Sequence, residues 1–282
     1  MSEVREWLAV LREGTQATPK IGQVLDLIAK QPRMASYASA SAIAETAHVN
    51  TATVVRAAQA LGFEGWLALR AEVRSRYLAS LSATEVSAEH AELGVHPASS
   101  AVRQDVANLG LFARGLDLDV IEHFATAISG ADRTAVVTTG SYAAVAAPLA
   151  HLGAVMGYPI AMETRGGTHL ANVMSSMKSE SCFVAISFWR LHAEILKAAR
   201  SAARRGATVC VITDSVSTPL TEVADHVIVV SSEGGSWFPS MAAGVCAVNA
   251  VLTSLEQQGG QKVQDAIADM EHTWAELGLY DI

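Results

Sequence analysis

Two clusters of polar and aromatic residues in the C-terminal half of the chain have the chemistry to bind a small anion. Backbone N–H groups near a helix N-terminus, hydroxyls and a guanidinium all donate hydrogen bonds to anions, and an indole ring can stack on a sugar or an aromatic ring. The sequence therefore predicts a ligand site made by two loops. The first loop contributes Gly140, Ser141 and Tyr142, and the second contributes Ser187, Trp189, Arg190 and His192.

Three further residues, Glu163, His169 and Glu233, lie near the ends of predicted strands and are weaker candidates for the same site. A lone histidine or glutamate in such a loop is more often a solvated or structural residue than a ligand-binding one. An alternative also stays open for Trp189 and Arg190, because they could fill a site that binds nothing or form a contact between subunits.

Five short runs of apolar and β-branched residues must position these loops. They alternate with helical stretches from about residue 103 onward, which is typical of a parallel sheet covered by helices on both faces. Ligands of such sheets bind beyond the carboxyl ends of the strands, where loops lead into helices, and both candidate loops have this position. The predicted strands are 134–138, 159–163, 182–187, 208–213 and 227–230.

The N-terminal third has the spacing of a helix-turn-helix. Ser39 can cap a first short helix, His48 can form the turn, and Asn50 can cap a second helix, while the small Ala44 allows the two helices to cross closely. The second helix would present residue types that reach phosphates and base edges of DNA. An ordinary pair of helices without a DNA partner remains the alternative. The residues predicted to face outward are Asn50, Thr51, Thr53 and Arg56.

The charge of the chain differs between its N-terminal and its C-terminal part. The 282 residues carry a net charge of −8, but residues 1–80 contain nine Lys or Arg against seven Asp or Glu, a net charge of +2. We therefore predict an all-α helix-turn-helix domain over residues 1–80 and a linker over 81–102, followed by a ligand-binding α/β domain with a five-stranded parallel sheet over 103–282. A weakly basic domain of this kind would need a partner copy to collect enough phosphate contacts.

Composition narrows the class of protein further. The sequence has no signal-peptide pattern and no apolar run long enough for a membrane span, which predicts a cytoplasmic protein without a membrane partner. Cys182, Cys210 and Cys246 are far apart and lie in apolar surroundings, so we expect buried thiols rather than disulfides or metal ligands. No metal or cofactor site is predicted.

The run HVNTATVVRAAQALGFEGWLALR resembles the N-terminal domain of RpiR-type bacterial transcription regulators. The later run RRGATVCVITDSVSTPLTEVADHVIVV resembles the sugar isomerase (SIS) domain that these regulators carry behind the DNA-binding domain. The resemblance implies operator DNA as one partner and a phosphosugar as the other. The first match rests on Val49, Thr53, Val54, Arg56, Leu61, Gly62, Phe63, Gly65, Trp66, Leu69 and Arg70, and the second on Gly206, Ile212, Thr213, Pro219, Leu220, Ala224 and Asp225.

The chain departs from the family pattern at the loops where the sugar would bind. The first loop of the family usually reads G-x-G-S-S, and here Thr138 replaces the first glycine and Tyr142 the second serine. The second loop usually reads S-x-S-G-x-T, of which only Ser187 is kept. Fewer glycines leave less room for backbone amides to approach a phosphate. Arg190 could supply a bidentate contact to an anion in their place.

The function predicted from these features is a DNA-binding transcription regulator, not an enzyme. It would act as a homodimer or homotetramer, with an operator affinity controlled by a small, sugar-related anion. The alternative is an aldose-ketose phosphosugar isomerase, which would need a base to move a proton between sugar carbons. A scaffold that only dimerises is the third possibility. The candidate bases of an isomerase are Glu163, His169, Glu194 and Glu233.

Overall fold

The computed structural model describes residues 3–13, 15, 17–91 and 96–279. These residues fall into two compact units, one within Met1–Pro97 together with Gly235–Phe238, the other within Ala98–Gly234 together with Pro239–Ile282. Among the helices of the described residues, none is long and apolar enough to cross a bilayer.

The first unit is helical, and its helices pack around one apolar core. The core includes fully buried side chains such as Leu25, Ile28, Ile43, Val54 and Leu69. The helices are α1 (Glu3–Glu13), α2 (Pro19–Lys30), α3 (Pro32–Tyr37), α4 (Ala40–Thr46), α5 (Thr51–Ala60), α6 (Trp66–Ala79) and α7 (Ala83–Ala91).

The predicted caps and turn of the helix-turn-helix are confirmed. The Ser39 hydroxyl accepts a hydrogen bond from the Ala42 N–H at the start of α4, and Asn50 caps α5. Between the helices His48 adopts a φ of 53°, a left-handed conformation that histidine tolerates better than most residues with a Cβ. Ala44 is buried where α4 packs against α5.

The helix α5 ends at a glycine cap formed by Gly62. Its φ of 87° allows the N–H of Gly62 to bond to the Gln59 carbonyl and the N–H of Phe63 to bond to the Ala58 carbonyl, the two bonds of a Schellman cap. The Trp66 indole then donates to the Ala38 carbonyl at 3.0 Å. These bonds fix where α6 begins.

Much of the predicted linker is helical. Residues 81–102 include α7 and the start of α8 (Pro97–Arg114), while residues 92–95 lie outside the described residues. Glu89 of α7 accepts hydrogen bonds from Arg33 at 2.7 Å and from the Tyr77 hydroxyl at 3.0 Å, which attaches this helix to the first unit. The domain boundaries themselves stay predictions.

The second unit has the predicted five-stranded parallel sheet, with strand order β2-β1-β3-β4-β5. Each strand begins and ends within one residue of its predicted position. The strands are β1 (Thr134–Val137), β2 (Ile160–Glu163), β3 (Cys182–Ser187), β4 (Thr208–Thr213) and β5 (His226–Val229). The further helices are α9 (Leu118–Ser129), α10 (Ala143–Val155), α11 (Gly167–Ser175), α12 (Ala193–Arg204) and α13 (Ala242–Glu276), the last interrupted by non-helical backbone at Gly260.

Helices cover both faces of this sheet, so the central strands are buried throughout. Cys182 and Cys210 lie fully buried on adjacent strands with their sulfur atoms 3.8 Å apart, and Cys246 is half-buried on α13. All three are free thiols, and the prediction of burial is confirmed for Cys182 and Cys210 but not for Cys246. The hydrogen bond between the two thiols, together with burial, raises the pKa of the Cys210 thiol well above its ordinary value.

Candidate DNA-binding and ligand-binding sites

Three of the four residues predicted to face outward at α5 do so. Thr51 and Arg56 are exposed, as is Asn50 at the cap. Thr53 is only 6% exposed, so the prediction that it faces outward is wrong. Its backbone N–H and its hydroxyl both donate to Asn50 Oδ1 at 2.8 Å, because the third residue of a helix turns back toward the capping side chain.

Sequence reasoning missed two exposed residues of the same helix, Ala52 and Gln59. They lie four residues before and three residues after Arg56, the spacing that places side chains on one helical face. Counting outward from Arg56 would have found both. The exposed face of α5 is therefore defined by Thr51, Ala52, Arg56 and Gln59.

The first loop of the predicted ligand site forms a single 3₁₀ turn over Gly140–Tyr142. Gly140 adopts a φ of 58°, and both Gly140 and Ser141 are exposed. The Tyr142 hydroxyl donates to the Phe188 carbonyl at 2.7 Å, and burial, with a smaller contribution from Asp214, raises the pKa of Tyr142 to about 12. Tyr142 thus connects the two loops through an internal bond.

The second loop follows β3, whose last residue, Ser187, is buried. Trp189 adopts a φ of 59°, and its backbone N–H donates to Asp214 Oδ2 at 2.9 Å. The Arg190 guanidinium lies 4.6 Å from the centre of the Trp189 ring, a cation–π contact. Arg190 and His192 are exposed, and His192 is the residue at the N-cap of α12.

Asp214 is a residue of this region that sequence reasoning missed. It follows β4 directly, and its Oδ2 atom accepts hydrogen bonds from the Trp189 N–H and from the Ser232 hydroxyl. It therefore joins the segments that follow β3, β4 and β5. Asp214 is a polar residue directly after a predicted strand, the same signal that marks the two predicted loops.

The weaker candidates have contacts of their own. Glu163, at the end of β2, is buried and accepts hydrogen bonds from the Arg165 guanidinium at 2.8 Å and the Arg165 N–H at 2.7 Å. These bonds hold the pKa of Glu163 below its ordinary value, and nearby His169, exposed on α11, contributes in the same direction. Glu194 Oε2 accepts from the Gly167 N–H at 3.2 Å.

Glu233 is half-buried after β5, and its carbonyl oxygen accepts a hydrogen bond of 2.7 Å from the Asn108 amide. Among the predicted ligand residues, the structure brings Tyr142, Trp189 and Arg190 together. Phe188 and Asp214 link them.

A helix-turn-helix unit followed in sequence by a parallel α/β unit with polar strand-end loops defines the class of two-domain transcription regulators. The comparisons with known proteins agree with this class. The helix-turn-helix domain of the rpiR family matches residues 11–80, and the SIS domain matches residues 127–257. The chain belongs to the RpiR family of transcription regulators.

Relatives of known sequence or structure support the assignment. An uncharacterized HTH-type transcriptional regulator of Haemophilus influenzae is 25% identical over 224 residues, covering 76% of this chain and 75% of the relative. The sugar isomerase domain of an RpiR transcription factor from Sphaerobacter thermophilus is 26% identical with a TM-score of 0.59, covering 62% of this chain and 97% of that one.

A third relative covers both units of the chain. The NanR protein of Vibrio vulnificus, solved in complex with ManNAc-6P, is 18% identical with a TM-score of 0.61, and the match covers 98% of this chain and 99% of that one. A structural match at 18% sequence identity shows that the two proteins share a fold.

Proposed function

We propose that this regulator binds its operator as a homo-oligomer through the exposed face of α5, and that a small, sugar-related anion bound at the strand ends of the second unit changes its operator affinity. We propose that it acts in the cytoplasm, where it would bind chromosomal DNA. The observation that carries the proposal is the Asn50-capped helix α5, which presents Thr51 and Arg56 on an exposed face.

The DNA-binding half rests on side-chain chemistry. Arg56 can form a bidentate contact with guanine or pair with a phosphate, and the Thr51 hydroxyl can donate to a phosphate. Asn50 is engaged by Thr53 through its oxygen, so only its amide group would be directed at DNA. Thr53 is assigned to stabilising the start of the helix, not to contacting DNA.

The effector half rests on the two strand-end loops. Gly140 and Ser141 are exposed in the first loop, and Arg190 and His192 in the second. Together they offer backbone amides, a hydroxyl, an imidazole and a guanidinium, which suit an anion with a polar body. Because the structure of the related NanR protein was solved in complex with ManNAc-6P, phosphorylated hexosamines and other sugar phosphates are the first compounds to test.

Linkage explains how the two halves would communicate. A ligand changes DNA affinity only as far as it binds one arrangement of the DNA-binding domains more tightly than another. The helix α8 contains the sequence division between the two units, after Pro97, and includes Arg103 and Arg114. We therefore propose α8 as the segment through which effector binding alters the spacing of half-sites.

We further propose that the protein is not a sugar-phosphate isomerase. In support, Glu163 is held as a carboxylate by Arg165, which weakens it as a base, and Glu194 is engaged by the Gly167 amide. Incubation with a panel of aldose phosphates would test this, since formation of the matching ketose phosphates would contradict it.

One experiment tests the whole proposal. Binding sites are selected from a random DNA pool with the full-length protein, and the selected operator is then titrated in the absence and presence of each sugar phosphate. We expect an inverted repeat whose affinity changes with at least one compound. Failure to enrich any sequence would contradict the DNA-binding half, and an affinity unaffected by every compound would contradict the effector half.

A further inference from the structure

The peptide group between Phe188 and Trp189 is fixed from both sides. Its carbonyl oxygen accepts the Tyr142 hydroxyl at 2.7 Å, and its N–H donates to Asp214 Oδ2 at 2.9 Å. The two partners come from the segments that follow β1 and β4. The orientation of this one peptide group therefore depends on side chains from two other strand ends.

The backbone of Trp189 indicates why such fixing is needed. A φ of 59° is unfavourable for a bulky L-residue and persists only where surrounding contacts maintain it. The contact of the Arg190 guanidinium with the Trp189 ring adds a third restraint. The loop is thus held in one conformation by contacts within the chain.

The partner of the Trp189 amide is itself an anion. A backbone N–H beyond the carboxyl end of a parallel strand is a preferred donor to anionic ligands, and here it donates to a carboxylate of the same chain. The Ser232 hydroxyl, after β5, donates to the same Asp214 oxygen, so this carboxylate is held by donors from two sides.

We propose that Asp214 is an internal anion that occupies the Trp189 amide, and that an anionic effector binds there by displacing it. The inference deepens the proposed function and rests on it for the charge of the effector. One N–H group makes a strong, linear hydrogen bond to only one acceptor at a time, and the repulsion between two anions is strong in a partly desolvated site. Asp214 therefore sets both the affinity for the anion and the loop conformation that responds to it.

Asp214→Asn tests this directly. The asparagine oxygen can still accept from the Trp189 N–H and from the Ser232 hydroxyl, but the negative charge is removed and the internal bond becomes the weaker, neutral kind. Inorganic phosphate is titrated into the full-length protein by calorimetry. We expect Asp214→Asn to bind phosphate about tenfold more tightly than the parent.

Asp225→Asn is the matched control. Asp225 also uses its Oδ2 atom to accept a backbone N–H, that of Val209, at 2.8 Å, but it lies where β5 begins, at the opposite end of the sheet. Its phosphate affinity should equal that of the parent. An equal gain in both variants, or no gain in Asp214→Asn, would overturn the proposal.

A measurement on the parent protein covers the case in which Asp214→Asn does not fold. The chain has five tryptophans, so isotope labelling of tryptophan nitrogen gives few amide signals, and Trp189→Phe identifies the one from Trp189. Phosphate should shift the Trp189 amide signal more than those of the other four. Phosphate binding that leaves the Trp189 signal in place would overturn the proposal.

Failure of this inference can be distinguished from failure of the proposed function. If phosphate binds to the parent and to Asp214→Asn with equal affinity, the internal anion is refuted and an anionic effector remains possible. If Asp214→Asn gains phosphate affinity but neither protein changes its operator affinity with any sugar phosphate, the internal anion is supported and the proposed effector control is refuted. If neither protein binds phosphate, the internal anion is refuted, and the operator titration with sugar phosphates decides the proposed effector control separately.

Discussion

Tyr142 donates its hydroxyl to the carbonyl oxygen of Phe188 at 2.7 Å, and the two rings meet edge to face with their centres 5.4 Å apart. The first strand-end loop is thereby attached to the second. Tyr142 stands where the family pattern has a serine, so a residue expected to donate to a ligand donates within the protein instead. This leaves Ser141 as the exposed hydroxyl of the first loop.

Tyr142→Phe should change how stability depends on alkaline pH. The pKa of Tyr142 is raised from 10.0 to about 12, chiefly by burial, so the protonated form is favoured in the folded state. Its contribution is complete below pH 10.0 and is lost as the pH rises toward about 12. Urea unfolding at increasing pH should show a shallower loss of stability for Tyr142→Phe, after an initial cost of about 1 kcal/mol from the missing hydrogen bond. Parallel curves for the two proteins would contradict this.

Arg56→Ala should weaken operator binding by about 1 to 3 kcal/mol while leaving the fold intact, because Arg56 is exposed on the face of α5 proposed to contact DNA. Fluorescence anisotropy at matched salt measures the effect. Arg5→Ala is the control, since Arg5 is an exposed arginine of α1 in the same unit. Equal affinities for Arg56→Ala and the parent would show that α5 is not the recognition helix.

Operator affinity should fall steeply as salt is added. Residues 1–80 carry a net charge of only +2, so two copies must share the phosphate contacts, and each contact releases counterions that added salt opposes. The footprint should cover both halves of an inverted repeat. A salt-independent affinity, or a footprint over one half-site, would argue against binding as a dimer.

Asn50→Ala should destabilise the protein by about 1 kcal/mol, because the Asn50 oxygen accepts both the N–H and the hydroxyl of Thr53 at the start of α5. Chemical unfolding measures the loss. Asn50→Ser is the matched control, since serine can cap the same N–H, and it should retain most of the stability. If the two variants lose equal stability, the capping bond is not the cause.

Arg190→Ala should abolish the rise in melting temperature caused by the best anionic ligand. Removing a charge-assisted contact from a partly desolvated site costs about 1.5 to 3 kcal/mol, or roughly ten- to a hundredfold in affinity. Arg200→Ala, an exposed position on α12, should keep the response. If the site binds no ligand, no sugar phosphate will shift the melting temperature of the parent protein. Arg190→Ala will then alter only the stability or the oligomeric state of the protein.

Most of the secondary structure could be predicted because its causes are local. Runs of β-branched residues such as Thr208–Thr213 form strands wherever both faces are covered, and the side chains of Ser39 and Asn50 cap helices through bonds to residues three positions later. The helix α7 is different. Its sequence has weak periodicity, and the bonds of Glu89 to Arg33 and Tyr77 hold it against distant helices.

The candidate site could be predicted only in part. The loops follow from the ends of the strands, but the bond between Asp214 and Trp189 depends on the order of strands in the sheet, which sequence spacing does not give. The orientation of Thr53 was mispredicted for a local reason. The capping bond holds the Thr53 side chain toward Asn50, and Thr53 also lies four residues before the buried Ala57, on the same face of the helix.

The full burial of Cys182 and Cys210 makes the ligand-binding sheet a reporter of its own opening. A thiolate attacks an alkylating reagent, and the reagent can reach these two sulfur atoms only when the helices covering β3 and β4 detach. The half-buried Cys246 should react earlier and serve as an internal reference. The rate at which the natural protein gains label at Cys182 and Cys210 therefore measures how often its sheet unfolds, without any engineered probe, and a ligand bound at the strand ends should slow that labelling.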